Sequence, residues 1–350
     1  MIRFVHAADM HFDSPFAGLP QSVARVRKEE QKRTFMKIIK ATREKNADML
    51  LLAGDVFDSG FVSRDTVSFL KQCFSEIGDT AVFIVPGNHD FLQDASPYKT
   101  VDFGKNVRIF GAEPAKYQVG EATVYGFGFA RRFISDSVLP APGMHQGDNP
   151  GILLVHGEVG YESDYHPISV NAIAESGLSY VALGHVHDYS GILYAGKTAY
   201  AYPGVPEKRH FDEAGIGGYI YGEIDGDKAE YEFVPVGERD NVTLNVDISG
   251  ITSLDAVEDK IRSLLSPQNL YKVVLKGTVS ATMFVDTKAL AKRLEGDCLY
   301  IKIKDETAPE IEAEESLLEK LFVARLSERE DDVAKEALRV GLAALRRQNR

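Results

Sequence analysis

Residues 81–90 read AVFIVPGNHD: an apolar run enters Pro86-Gly87, and an asparagine and a histidine follow side by side. The run has the pattern of a buried strand, and Pro-Gly turns the chain. Alone, the NHD that follows is ordinary turn chemistry. Four other apolar runs end in the same manner. IRFVHA leads into ADMHFD with Asp9 and His11, and MLLL leads into AGDVFD with Asp55 and Asp58. GILLV leads into VHGE with His156, and YVA leads into LGHVH with His185 and His187. A lone D-x-H is commonly a surface or capping pair, and a lone histidine commonly a core residue. Five polar clusters in order, each at a strand end, point instead to one ligand site, which open α/β sheets place at their strand ends.

Asp9/His11 and His185/His187 are i,i+2 pairs, so in extended backbone each pair shares a face. Gly54, Gly87, Gly157 and Gly184 adjoin the clusters, where glycine permits sharp turns and close approach. The strands are near-uniformly apolar, as in sheets covered on both faces. Helices are expected in VARVRKEEQKRTFMKIIKATREK, through Phe35, Ile38 and Ile39, and in RDTVSFLKQCFSEIG. VRIFG and ATVYGFG add strands, and TAYAYPG, GGYIYGEID and AEYEFVPV are expected to be antiparallel. The fold class is therefore layered α/β.

The pattern changes near Glu238. NVTLNVDISG, YKVVLKGTVS and CLYIKIKDE read as strands, with helices at SLDAVEDKIRSLLS and DTKALAKRLEG between them. The chain is expected to comprise a first domain at 1–238, a small α/β domain at 239–307 and C-terminal helices at 308–350. The last helix, DDVAKEALRVGLAALRRQ, carries an apolar stripe of Val333, Ala337, Val340 and Ala344, with Leu338, Leu342 and Leu345 alongside. Such a stripe either docks a partner or folds back on its own domain.

The totals agree with a soluble protein: 350 residues, 44% hydrophobic and 26% charged. No apolar run approaches the roughly 18 residues of a membrane span, and His6 and Asp9 break the N-terminal run before a signal peptide could form. Cys73 and Cys298 lie far apart without metal-type spacing, so a reducing, cytoplasmic location is expected. A formal charge of −12 argues against non-specific attraction to nucleic acid, although bound cations or local basic patches reverse the sign locally.

The ordered motifs D-x-H, G-D-x-x-D, G-N-H-D, H-G and G-H-x-H resemble those of the calcineurin-like metallophosphoesterases, over roughly the first 235 residues. The resemblance implies a β-sandwich flanked by helices with a two-metal site. It assigns Asp9, His11 and His187 to one metal, Asn88, His156 and His185 to the other, and Asp55 to both. His89 would lie beside the scissile phosphate as the proton donor to the leaving group, oriented by Asp58, and Asp90 would serve the turn. The mixed donor set suits Mn²⁺, Fe or Zn²⁺ better than Mg²⁺, and the resemblance favours manganese.

VHAADMHFDSPFAGL and YPGVPEKRHFDEAG further resemble SbcD-type DNA exonucleases, most of all the YhaO-type branch. That implies DNA as substrate, a small capping domain after the nuclease core, and an SMC-like coiled-coil ATPase as partner; a homodimer stays open. Candidate phosphate contacts are Arg25, Arg27 and Lys28, Arg131 and Arg132, and Lys208, Arg209 and His210. RVRKEEQKR reads mainly as a solvated helix face. Tyr161, Tyr165 and His166 are either stacking residues or loop packing. Two other readings compete: a phosphatase or small-nucleotide phosphodiesterase with the same metals, and a binding scaffold with a vestigial site.

Overall fold

The computed structural model describes residues 1–310 except 161, 214, 281 and 282, then 317–327, and single positions between 333 and 345. These fall into two compact units, Met1–Glu238 and Arg239–Arg350. In the first, β1 (Ile2–Ala7), β2 (Met49–Ala53), β3 (Ala81–Val85) and β4 (Val107–Ile109) lie side by side and parallel. The first two crossovers are the helices α1 (Gln21–Glu44) and α2 (Arg64–Glu76), and the third contains the short α3 (Pro97–Thr100).

The chain next builds a second sheet from β5 (Ala115–Val119), β6 (Ala122–Gly126) and β7 (Gly151–His156). The short pair β8 (Glu158–Val159) and β9 (Pro167–Ile168) and the helix α4 (Val170–Glu175) precede β10 (Tyr180–Gly184), β11 (Leu193–Ala195) and β12 (Thr198–Ala201). Last, β13 (Gly218–Asp225) and β14 (Lys228–Pro235) return to the first sheet, giving the orders β14-β13-β1-β2-β3-β4 and β11-β12-β10-β7-β6-β5. GGYIYGEID and AEYEFVPV are antiparallel as expected. TAYAYPG differs: β12 is antiparallel to β11 but parallel to β10, because the hairpin reverses the chain before it rejoins the sheet.

The two sheets stack face to face, which explains the uniform apolarity. In β2, Leu50 and Leu52 pack against Phe35, Ile38, Leu70 and Phe74 of the flanking helices. The alternate residues Met49, Leu51 and Ala53 meet Val124, Ile152, Leu154 and Tyr180 of the second sheet. The outer face of the second sheet, with Leu153, Val155, Val181 and Leu183, is covered by Ile168, Ile173 and Leu178.

The first half of α1 is not the solvated face its charges suggest. Arg27, Glu30 and Gln31 are buried. Arg27 pairs with Glu30 and, at 2.7 Å, with Glu207, and it donates to the Lys208 carbonyl at 3.0 Å. Arg27 is therefore consumed internally rather than offered to a phosphate. Gln31 donates to the carbonyls of Met10 and His11 at 3.2 and 3.1 Å, so this helix face braces the loop after β1.

In the second unit β15 (Asn241–Asp247), β16 (Leu270–Lys276) and β18 (Tyr300–Asp305) form a parallel sheet, and β17 (Thr278–Val279) pairs with β19 (Ala308–Pro309). The helices α5 (Leu254–Arg262) and α6 (Thr287–Leu294) are capped by Ser253 and Asp286, whose side chains accept from backbone amides of the first turn. Below them lies a core of Val246, Val257, Ile261, Val273 and Leu290. A further helix, α7 (Leu317–Ser327), follows. Much of the expected last helix lies outside the described residues. Of its stripe, Val333 and Val340 are exposed and Leu342 is buried, while Gly341 lies so close to the Phe322 ring of α7 that a Cβ there would fall 2.1 Å from it.

Leu51 is fully buried between the sheets, whereas Met36 on α1 is 45% exposed. Urea denaturation followed by circular dichroism is expected to show Leu51→Ala losing about 2–5 kcal/mol and Met36→Ala staying within about 0.5 kcal/mol of the parent.

Candidate metal centre

The loops after β1, β2, β3, β7 and β10 gather where the two sheets meet. Backbone pairing between the first two loops continues beyond the strands: Asp9 N–H donates to Gly54 O at 3.1 Å, His11 to Asp55 at 2.9 Å, and Phe12 to Val56 at 2.9 Å. Asp9, His11, Asp55 and His185 have φ values of 54°, 46°, 49° and 108°. Neither i,i+2 pair is extended, which corrects the shared-face reading. Their side chains converge because the backbone turns into the left-handed region, at roughly 1–3 kcal/mol per non-glycine residue. Two glycines let the sheets close. Gly54 has φ of +89° with His156 against it, and a Cβ on Gly184 would lie 1.8 Å from the Ala53 carbonyl oxygen.

All of the expected ligands are brought together in two groups. Donor atoms of Asp9, His11 and His187 lie within 4.8 Å of one another, with the Nε2 atoms of His11 and His187 3.4 Å apart. Asn88 Oδ1 lies 2.9 Å from His156 Nε2 and 3.2 Å from His185 Nδ1. Asp55 stands between the groups. Its Oδ2 is 3.8 Å from His11 Nε2 and 3.6 Å from His156 Nε2, and its Oδ1 accepts from His89 N–H at 2.9 Å.

Burial holds His11 well below its ordinary pKa and brings His185 down to about 3, so both rings are neutral near pH 7 and offer lone pairs. Burial also opposes charge on Asp55, but His156, His11 and His89 outweigh it and keep the carboxyl below its usual range. Asp9 is raised to about 6, chiefly by burial. Imidazoles, an amide oxygen and two carboxylates turned toward common points form a donor set that fits first-row divalent cations. The Nε2 atoms of His11 and His187 face each other at 3.4 Å, so both can turn toward a shared cation.

His156 Nδ1 is fixed by the Ala53 carbonyl at 2.9 Å, which turns Nε2 toward Asn88 and Asp55. His89 stands at the margin, half-buried, edge-on to His11 with ring centroids 4.9 Å apart. The expected Asp58–His89 pair is made differently from expectation. His89 Nδ1 meets the backbone carbonyl of Asp58 at 3.1 Å, while the Asp58 carboxylate accepts from Arg209 at 2.5 Å and lies 3.3 Å from His11 Nδ1. Asp90 serves the turn: buried, it accepts from Gly87 N–H at 2.7 Å, Phe57 N–H at 3.1 Å and the Tyr98 hydroxyl at 2.5 Å.

Arg209, expected among the phosphate contacts, is buried. Its guanidinium is held by Asp58 and by Glu213, a residue the motif reading passed over. Glu213 also approaches His187 Nδ1 at 3.2 Å. Burial opposes its charge, but His187 and Arg209 hold it down at about 2. The i,i+4 spacing of Arg209 and Glu213 is the one trace of this pairing in the sequence. Arg25, Arg131, Arg132 and His210 are exposed and Lys28 and Lys208 half-buried. Tyr165 packs on the His185 ring at 4.8 Å and on Phe133 at 5.5 Å. His166 is a packing residue, its Nδ1 on the His156 carbonyl and its Nε2 accepting from Leu139 N–H. Tyr161 lies outside the described residues.

A two-sheet sandwich carrying this cluster at its strand ends defines a metallophosphoesterase. The model of the calcineurin-like phosphoesterases matches residues 2–189, and the chain belongs to that family. It is 31% identical over 299 residues to the uncharacterized metallophosphoesterase YhaO of Bacillus subtilis, covering 79% of this chain and 72% of that one. It is 26% identical over 319 residues to the DNA double-strand break repair protein Mre11 of Methanopyrus kandleri, covering 83% and 68%. Among solved structures, a dimetal phosphatase of Danio rerio superposes on 63% of this chain and 92% of its own, at 11% identity and a TM-score of 0.41. No helix among the described residues is long and apolar enough to cross a membrane.

Removing the Asp90 carboxylate strands three donors that now share it. Asp90→Ala is expected to cost about 1–3 kcal/mol for each one left unsatisfied, against about 1 kcal/mol for Tyr98→Phe. Paired urea titrations check the order.

Proposed function

We propose that this chain is a metal-dependent DNA nuclease, hydrolysing phosphodiesters at a two-cation site. The observation that carries this reading is the convergence of Asp9, His11 and His187 on one point and of Asn88, His156 and His185 on another, with Asp55 between them. When bound, two divalent cations, most suitably Mn²⁺, supply Lewis acidity to the phosphoryl oxygens and lower the pKa of the attacking water.

The protein's own part is positional. Asp55 faces both cation positions, and burial keeps His11 and His185 neutral. His89, outside both ligand groups, protonates the leaving oxygen. The Asp58 carbonyl accepts from Nδ1–H of His89, which leaves Nε2 to face the phosphate. Selection of DNA over small phosphoesters is supported by similarity to a protein named for double-strand break repair and by the second unit. The exposed Arg131 and Arg132 are proposed phosphate contacts, with Lys208 and His210 in support. Arg27 and Arg209 are excluded from that role because acidic partners already hold them. The C-terminal helices are proposed to dock on a coiled-coil ATPase of the SMC type in the cytoplasm.

His89→Gln is expected to keep both cations, counted by elemental analysis, and to lose about 10²–10⁴-fold in turnover, the usual contribution of a general acid. Near-normal turnover would remove His89 from the acid role. Incubation of the Mn²⁺-loaded protein with single-stranded DNA, duplex DNA and a bis-aryl phosphate tests the substrate. Cleavage of DNA is expected. Cleavage of the aryl ester alone would assign a small-molecule phosphodiesterase, and cation binding without any cleavage a scaffold. Neutralising Arg131 and Arg132 together is expected to weaken DNA binding and to reduce the slope of log affinity against log salt by about 2. An unchanged slope would return them to the solvent.

A further inference from the structure

The loop from Glu207 to Glu213 carries groups that the proposed hydrolysis does not use, and they reach two of the ligand histidines by separate routes. On one side Glu213 Oε1 lies 3.2 Å from His187 Nδ1. On the other, Asp58 Oδ1 lies 3.3 Å from His11 Nδ1, a buried nitrogen that makes no hydrogen bond among the described residues. A single guanidinium holds both carboxylates. Arg209 donates through Nη1 to Asp58 at 2.5 Å and through Nε and Nη2 to Glu213 at 3.1 and 3.0 Å. The Arg209 backbone N–H is bonded to the other Glu213 oxygen. Both imidazoles have their Nε2 atoms turned toward each other at 3.4 Å.

We infer that Arg209, Glu213 and Asp58 form a clamp that positions His11 and His187 as a pair, and so sets the affinity of the one cation position those histidines share. The geometry gives the reason. A negative carboxylate beside Nδ1, as Glu213 is to His187 and Asp58 is to His11, favours the tautomer with its proton there, which leaves the Nε2 lone pair free for a metal. Arg209 is suited to serve two carboxylates at once because its planar fork fixes their relative direction, which a lysine ammonium cannot do. The second group, Asn88, His156 and His185, lies outside the clamp: His156 is fixed by the Ala53 carbonyl. The clamp therefore acts on one cation and spares the other. Glu207 anchors the start of the same loop by accepting from Arg27, Thr34 and the Glu238 backbone, so loss of the Glu213 carboxylate leaves the loop tethered.

The inference rests on the two-cation reading above, and the test separates them. Mn²⁺ binding to the metal-free full chain is measured by isothermal titration for the parent, Glu213→Ala, Glu213→Gln and Arg209→Met, with the melting temperature of each metal-free protein recorded alongside. The parent is expected to bind two cations. Glu213→Ala and Arg209→Met are expected to weaken one of them by about 10- to 100-fold, as loss of such ligand-orienting partners commonly does, and to leave the other in place. Glu213→Gln, which keeps an oxygen acceptor for His187, is expected to recover part of the loss. Parent-like isotherms in the variants would overturn the clamp and leave the two-cation site standing. So would equal weakening of both cations with a lowered metal-free melting temperature, which marks a collapsed loop. A parent that binds one cation would overturn both.

Discussion

A buried carboxylate at the seam between two sheets is the constraint around which the molecule is organised. Asp55 follows β2, the strand whose alternate residues serve two different cores. The carboxylate touches His11 from the loop after β1, His89 from the loop after β3, and His156 at the end of β7. A charge in such a position is costly unless it is paired and hydrogen-bonded. Here every compensating group comes from another strand end, so the groups that make the carboxylate tolerable are those that form the site. Gly54 and Gly184 allow this closeness, since any side chain at either would separate the sheets where they have to meet.

The same logic orders the surrounding shell. Imidazoles in this cluster are not left to find their own orientation. The Ala53 carbonyl fixes His156, the Asp58 carbonyl fixes His89, and Glu213 faces His187. Backbone carbonyls hold His156 and His89, and side-chain carboxylates stand beside His187 and His11. Four of the residues in the cluster, Asp9, His11, Asp55 and His185, carry left-handed φ values, as do Asp13, Phe16, Asn46 and His166 elsewhere in the chain.

Much of this was readable in the sequence, and the reason is local. Apolar strands that stop at a polar pair mark their own ends, so Asp9, His11, Asp55, Asn88, His156, His185 and His187 could be found, and their common location inferred, without coordinates. The layered α/β class followed from strands with no polar face, and the sandwich from the family resemblance of the motifs. What escaped is non-local or carried by the main chain. Arg27 and Arg209 looked like free cations because nothing nearby in sequence announces Glu207 or Asp58 as their partners. Asp58 was expected to act on His89 through its carboxylate and acts through its carbonyl, an atom every residue has. Glu213 was hidden among the charges of KRHFDE. The i,i+2 argument failed because left-handed backbone at Asp9, His11 and His185 is not encoded by glycine and arises from tertiary hydrogen bonds.

The central claim is that Asp55 joins two cation positions into one centre. Electron paramagnetic resonance of the Mn²⁺-loaded protein tests it directly, because two ions sharing a carboxylate couple magnetically. The account predicts two Mn²⁺ per chain and the many-line spectrum of a spin-coupled pair. One Mn²⁺ per chain with the six-line spectrum of an isolated ion would contradict it.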